Sequence, residues 1–500
     1  MSVTKVELVQ SLSFGERVAE LERDTLSDYF VETDQWRKVY SGEADVIFGN
    51  KGAGKSALYA ALMDKENELF DRGVILVSAE NPRGDTAFSG IVPEPPPTEF
   101  AFTSLWKSYV ISLVGSQVRD LGLVGPAAKD LLDALIADGM LPKRGASLQA
   151  RLKMAWSWVR ERFQIEEVEG GVKFDPATQL PVGLTGKIRL REPEPEDRQA
   201  GARSVDDLFA LANEALEFNE LEIWVLFDRL DVAFPDTPGL EENALRALFK
   251  VYLSLSQFER IRFKVFLRSD IWSSITGQGF REASHITRQV HIEWKRDSLR
   301  SLVVSRVSLN KLLMQYYGVD RHDLLSSASE QERLLLRMFP EKVDVGRNPE
   351  TFDWALSRVR DGTKASAPRE VIHLFTEARN SQVAMFERGE SEPPEDQIIS
   401  RAAFREALAP VSSARLIQTL LPEFPHLKDR IMAFEGKKTD WSLPNLAALW
   451  AVDEADAEGF AQELVDVGLL ELRESAGARR YWIPFLYRPA LDSTQGAAED

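Results

Sequence analysis

Apolar residues recur at helical spacing over the opening stretch of the chain: Leu8, Leu12, Phe14, Val18 and Leu21, then Leu26, Tyr29, Phe30 and Trp36. This spacing predicts helix through about residue 40. The pattern then shortens. Ala44–Phe48 reads as a brief strand, followed by a glycine-rich turn and a helix over Ser56–Leu69. Gly73–Ser78 is a second strand with a continuous apolar, β-branched run. Strand, glycine loop, helix, strand is the opening unit of a parallel sheet with a right-handed crossover. Helical periodicity returns over 103–163, carried by Leu105, Val110, Leu113, Val114 and Val118. Ser204 offers an N-cap for a helix to Glu217. Ile223–Phe227 and Phe263–Leu267 read as strands flanking a helix over Leu240–Phe258, and the chain beyond Trp294 is overwhelmingly helical.

Two stretches break this rhythm. Residues 91–98 hold four prolines, each of which fixes φ and disfavours helix before it, so an extended loop is expected. Residues 165–203 read as an insertion with a hairpin across Lys173–Leu190 and a charged, proline-rich end at Arg191–Arg198.

Composition narrows the field. The chain has 500 residues, 44% of them hydrophobic, with 61 Lys and Arg against 79 Asp and Glu, a net charge of −18. With no cysteine, a disulfide scaffold, a thiolate metal site and a Cys nucleophile are excluded. No apolar run approaches the ~20 residues of a membrane span, and no signal-peptide core opens the chain. A cytoplasmic protein with no membrane partner is therefore expected. The acidic balance argues against broad nucleic-acid binding, which rests on Lys and Arg neutralising phosphates.

The most specific motif follows the first strand. Gly49, Asn50, Lys51, Gly52, Ala53, Gly54, Lys55 and Ser56 form a complete G-x-x-x-x-G-K-S, with Ala57 continuing into the helix. Glycines let such a loop curl so that successive backbone N–H groups face a β-phosphate, while the Lys reaches the β- and γ-phosphates and the Ser hydroxyl faces Mg2+. The helix start adds its positive dipole end. ATP and Mg2+ are the expected ligands. Asp228, where the apolar run Ile223–Phe227 ends, is the second Mg2+ ligand expected beside Ser56. Asp231 lies three residues further on; it either orients the attacking water, or simply bonds to Arg229 or caps the loop. Arg268 ends the next strand, and Pro368 and Arg369 open a later helix.

Near the C-terminus, helices over His426–Phe434, Ser442–Trp450 and Asp453–Leu469 precede strands at Leu470–Arg473 and Arg480–Ile483. Three helices and a two-stranded wing make a winged helix, whose third helix would enter a DNA groove. That helix carries Asp453, Glu454, Asp456, Glu458, Glu463 and Asp466 and no Lys or Arg. DNA is disfavoured on charge, with Arg473, Arg479, Arg480 and Arg488 left for a peripheral contact.

Taken together, Asp45–Leu58, Trp224–Asp231, Phe266–Asp270, Ile292–Trp294, Pro368-Arg369 and Trp482–Tyr487 resemble the bacterial P-loop ATPases of the STAND, KAP and origin-recognition-like AAA+ group. The resemblance implies an α/β fold: a three-layer, parallel-sheet P-loop core over 1–290 with insertions at about 85–203, a helical lid over 291–410 and a winged helix over 411–500. It implies that Arg268 stands near the γ-phosphate, that Arg369 reaches over the nucleotide from the lid, and that the segment around Tyr29–Val31 borders the base. Many relatives of the AAA+ and RecA kind place Glu directly after the Walker-B Asp; here Arg229 stands there. Slow turnover follows, as in a regulatory switch acting through a protein effector. An arginine supplied in trans, with Arg260, Arg262, Arg281 and Arg288 as candidates, would require a homo-oligomer or hetero-complex. Such relatives are associated with bacterial anti-phage defence. The alternatives are a DNA-binding clamp or loader and a non-hydrolysing nucleotide sensor.

Overall fold

The computed structural model describes residues 3–16, 22, 25–80, 98–162, 173–174, 181–183, 203–230, 238–277, 279–475 and 478–498. Most of the proline-rich stretch, most of the 165–203 insertion and Asp231 lie outside the described residues. Two compact units form: residues 37–48 with 58–291, and residues 1–36 with 49–57 and 292–500.

The first unit is built on a five-stranded sheet. Its strands are β1 (Val46–Gly49), β2 (Val74–Ser78), β5 (Glu222–Phe227), β6 (Ile261–Arg268) and β7 (Gln289–His291), in the order β2–β5–β6–β1–β7. The pairs β2–β5, β5–β6 and β1–β7 run parallel. A parallel sheet is covered on both faces, which is why its strands read as unbroken apolar runs. One face, with Val77, Val225, Phe227 and Val265, shares a core with the helices Glu99–Asp120 and Pro238–Leu255. There Trp106 Nε1 donates to the Ala244 carbonyl at 2.8 Å, and its ring stands edge-on to Phe227 with centroids 5.7 Å apart. The alternate residues face the helix Lys55–Asp64. Its Tyr59 ring lies 5.7 Å from that of Phe266, and its hydroxyl shares a 2.7 Å hydrogen bond with Ser78.

A buried ionic cluster ties the strand starts together. The wholly buried Lys264 donates to Asp45 Oδ1 at 2.9 Å and to the Ala44 carbonyl at 2.6 Å, and lies 4.2 Å from the Trp224 ring centroid. Arg288 Nε reaches Asp45 Oδ2 at 2.6 Å. Burial pushes the Lys264 ammonium down to about 8, against the pull of Asp45.

The second unit is helical, apart from a small C-terminal sheet. Its centre is aromatic: Phe375 lies within 5.4 Å of Phe14 and of Phe339, centroid to centroid. The C-terminal part has helices Lys428–Met432, Leu443–Trp450 and Glu454–Asp466. Strands β8 (Lys438–Trp441), β9 (Glu471–Ser475), β10 (Ala478–Trp482) and β11 (Thr494–Ala497) join in the order β11–β8–β10–β9. Elsewhere β3 (Lys173–Phe174) pairs antiparallel with β4 (Pro181–Gly183) inside the expected hairpin.

The N-terminal expectation needs correction. Among the described residues, helix is confined to Lys5–Ser11, a 3-10 turn at Leu26–Asp28 and Asp34–Tyr40, while Val18 and Leu21 lie outside the described residues. Leu12 and Phe14 are buried all the same, on extended chain that turns at Gly15, φ +79°. Burial of anchoring side chains imitated a helical stripe. The helix expected over Ser56–Leu69 is two, Lys55–Asp64 and Glu66–Phe70. That expected over His426–Phe434 is a 3-10 turn, Pro425–Leu427, followed by Lys428–Met432. The short, polar strand β8 gave no apolar alternation to find.

One glycine in the helical unit fixes a close backbone approach. A Cβ on Gly362 would stand 2.2 Å from the Leu470 carbonyl oxygen, while its N–H donates to the Gly468 carbonyl at 2.7 Å. Gly362→Ala is expected to lose about 2 kcal/mol or more through forced backbone displacement, read as a lower denaturant midpoint.

Candidate functional site

The loop 49–56 leaves β1 and ends on the N-terminus of the helix Lys55–Asp64. Gly52 and Gly54 take φ of +79° and +98°, conformations that L side chains rarely adopt. Gly49 is hemmed in: a Cβ there would lie 3.2 Å from Ala53 Cβ and 3.3 Å from Ile292. The Lys55 ammonium donates to the carbonyls of Gly49 at 2.8 Å and Asn50 at 3.2 Å. Trp294 Nε1 donates to the Ala53 carbonyl at 2.7 Å, pinning the loop's crest.

Arg369 meets this loop. It is the second residue of the helix Pro368–Glu387, and its Cβ lies 3.2 Å from where a Cβ on Gly52 would be. Glu370 beside it is buried, with Oε2 at 3.6 Å from the same point. Arg415 holds Glu370 at 3.2 Å and Asp361 at 3.5 Å, and donates to the Tyr487 hydroxyl at 3.4 Å. Arg415 ends the helix Leu408–Arg415, a π turn follows over Leu416–Leu420, and the chain re-forms helix at Leu421–Glu423. Glu423 pairs with the loop's Lys51. Glu370, Arg415 and Glu423 gave no signal in the sequence, because their partners lie far away in the chain.

On the sheet, Asp228 follows β5 and is 6% exposed. Arg229 next to it has φ +57°, a costly conformation for a long side chain. Arg268, ending β6 between β5 and β1, is clasped by Asp270: Nη2 to Oδ2 is 2.7 Å and Nε to Oδ1 is 3.1 Å. A further acid, Glu80, is only 2% exposed two residues past the end of β2. Tyr109 donates to the Ala79 carbonyl at 2.8 Å; burial, then the Glu80 charge, hold its phenol well above the ordinary range.

The other candidates disperse. Tyr29 lies 4.3 Å under the Arg306 guanidinium, which is paired with Glu22 at 2.7 Å; burial pushes the Tyr29 phenol up to about 12. A polar cavity of about 470 Å³ opens there, lined in part by Glu16, Glu22, Asp28 and Arg306. Of the four arginines considered for action in trans, Arg262 pairs with Glu222 at 3.1 Å and Arg288 with Asp45, both toward the starts of the strands. The C-terminal arginines are engaged as well. Arg479 holds Glu458 at 2.7 Å, Arg480 holds Asp440 at 3.0 Å, Arg473 holds Glu471 at 2.9 Å, and Arg488 is buried against Trp482. Among the described residues no cluster of three His, Asp or Glu could hold a metal, and no helix is long and apolar enough to cross a membrane.

No family model and no curated protein matches the chain. Solved structures do. A Walker-type ATPase of Pyrococcus abyssi is similar over 93% of this chain and 97% of its own, at 12% identity and TM-score 0.40. The ORC1 protein of Aeropyrum pernix, in complex with DNA, is similar over 95% of this chain and 96% of its own, at 14% identity and TM-score 0.34. The ORC2 protein of the same organism, in ADPNP–ADP complexes, is similar over 92% of this chain and 90% of its own, at 12% identity and TM-score 0.38. At these scores the likeness says nothing of a ligand, and function has to be argued from residues.

Proposed function

We propose that the chain binds Mg·ATP on the loop 49–56 and hydrolyses it slowly, as a regulatory switch that acts through a protein partner. The observation that carries this is the loop itself: two left-handed glycines and a helix N-terminus curl it into a cradle of amides, with Lys55 alongside. The conformation suits a polyphosphate and needs glycine at both positions. The oxygen donors Ser56 and Asp228 fit a hard cation; they would hold Mg2+, which supplies charge neutralisation for the phosphates. Lys55 would follow the β- and γ-phosphates, and Arg369 would reach the nucleotide from the neighbouring helix. Arg268 would have to exchange Asp270 for a phosphate oxygen to act on one.

The switch reading draws support from the connections of the loop. Arg369, Glu370 and Glu423 all bear on it, and Arg415, which holds Glu370, precedes Glu423 on the same helical run. Binding of an anion there would be felt along that chain of contacts. A place in bacterial defence is what the family resemblance adds. A DNA-binding role loses further ground, because the C-terminal arginines already serve acids or aromatic rings of the chain itself.

Titration with a fluorescent ATP analogue tests the reading. Wild type is expected to bind in the presence of magnesium, and Lys55→Ala to weaken binding roughly a hundredfold through loss of charge-assisted hydrogen bonds. Equal affinity of the two proteins would sink it.

A further inference from the structure

The C-terminal part of the helical unit buries a cation that the loop 49–56 does not use. Arg488 is 8% exposed. Its Nε donates to the Ile483 carbonyl at 3.0 Å, its Nη2 is buried without an acceptor, and among the described residues no carboxylate pairs with it. Two rings flank it: its guanidinium carbon stands 4.2 Å from the Trp482 ring centroid and 4.1 Å from that of Phe485. Each ring carries a second arginine. Arg473 lies 3.6 Å from the Trp482 centroid, and Arg358 lies 3.7 Å from that of Phe485. Burial, and then the charges of Arg358 and Arg473, push Arg488 down to about 10.

Acids are too few to balance this group. Asp344 is shared by Arg358 at 3.4 Å and Arg405 at 3.0 Å, and Glu471 by Arg473 at 2.9 Å and Lys364 at 3.8 Å. An aromatic face attracts a cation without cancelling its charge, and a buried charge that lacks a counter-ion is costly. An apolar side chain of similar size would fill the space between the rings at less cost. The chain instead keeps the residue whose planar fork of donors matches an oxyanion. Arg473, its side chain 43% exposed, and the half-buried rings open the group to solvent.

We infer that Arg358, Arg473 and Arg488 form a binding site for a phosphate-type anion, either free or carried on a small metabolite. A tetrahedral dianion suits three guanidiniums better than a carboxylate does, because it brings more charge and offers more than one edge to their forks. The site is separate from the nucleotide loop and does not depend on the Mg·ATP reading.

Thermal melting tests it, with inorganic phosphate replacing chloride at constant ionic strength, in wild type, Lys55→Ala, Arg488→Met and Arg473→Gln. Exclusion of phosphate from protein surfaces raises melting temperature gradually in any protein, whereas a site adds a rise that saturates. Lys55→Ala is expected to keep the saturating rise, which separates this site from the loop 49–56. Arg488→Met is expected to lose it, and Arg473→Gln to need roughly tenfold more phosphate, through loss of charge-assisted hydrogen bonds. Should Arg488→Met fail to fold, Arg473→Gln carries the comparison. A lower midpoint with glycerol phosphate than with inorganic phosphate supports a metabolite as the source, and the reverse supports the free ion. Wild-type saturation in both arginine variants, a response matched by acetate, or one given only by duplex DNA overturns the assignment. The nucleotide reading stands or falls separately, on the ATP titration.

Discussion

Asp45→Ala is expected to destabilise the sheet-containing unit by about 3–5 kcal/mol, the usual result of removing one partner from a buried ion pair. Asp45 accepts from Lys264 at 2.9 Å and Arg288 at 2.6 Å, and Lys264 is wholly buried. Without the carboxylate, the ammonium keeps the Ala44 carbonyl and the Trp224 ring, neither of which balances its charge. The variant should show a pH signature. In the folded wild type Lys264 titrates near 8, below its ordinary value of 10.5. Between those values the unfolded chain binds more protons, so this group makes stability rise with pH. Below about pH 8 both states are protonated and the folded state carries the penalty. Loss of Asp45 lowers the folded value further, so the variant recovers sooner as pH climbs. The gap between variant and wild type should therefore narrow between pH 7 and 9.5. Guanidinium denaturation at the two pH values measures it; above pH 10 the raised phenol of Tyr252 opposes the trend. A constant gap would mean that Lys264 is not the group responsible.

Trp106→Ala carries a comparable expected loss, about 3–5 kcal/mol, from cavity formation under the sheet. Trp106 is 1% exposed and packs edge-on to Phe227, the residue before Asp228. Truncation also strands the Ala244 carbonyl, which accepts its indole N–H. Trp106→Phe should recover most of the packing and none of the hydrogen bond. A midpoint for the alanine variant within 1 kcal/mol of wild type would show that the neighbouring helices close the gap.

The parallel sheet and the glycine-rich loop after its first strand were legible because their determinants are local. Apolar runs of strand length, two glycines at fixed spacing and a following helix are visible without any tertiary knowledge. The N-terminal segment was not, since Leu12 and Phe14 are buried on extended chain by partners such as Phe375, more than three hundred residues away. Within the site, Asp228 was legible as an acid closing an apolar run. The loop's contacts with Glu370 and Glu423 depend on helix packing that no spacing reports.

The π turn at Leu416–Leu420 has a consequence for the segment that follows it. Such a turn holds one residue more than regular helix would, so it shifts the angular phase of everything beyond. Deleting a single residue there would rotate the continuation by about 100°. Arg415 would keep its grip on the buried Glu370 while Glu423 swung away from Lys51. The surplus residue works like an offset tooth in a gear train, letting one short rod mesh with two separate wheels.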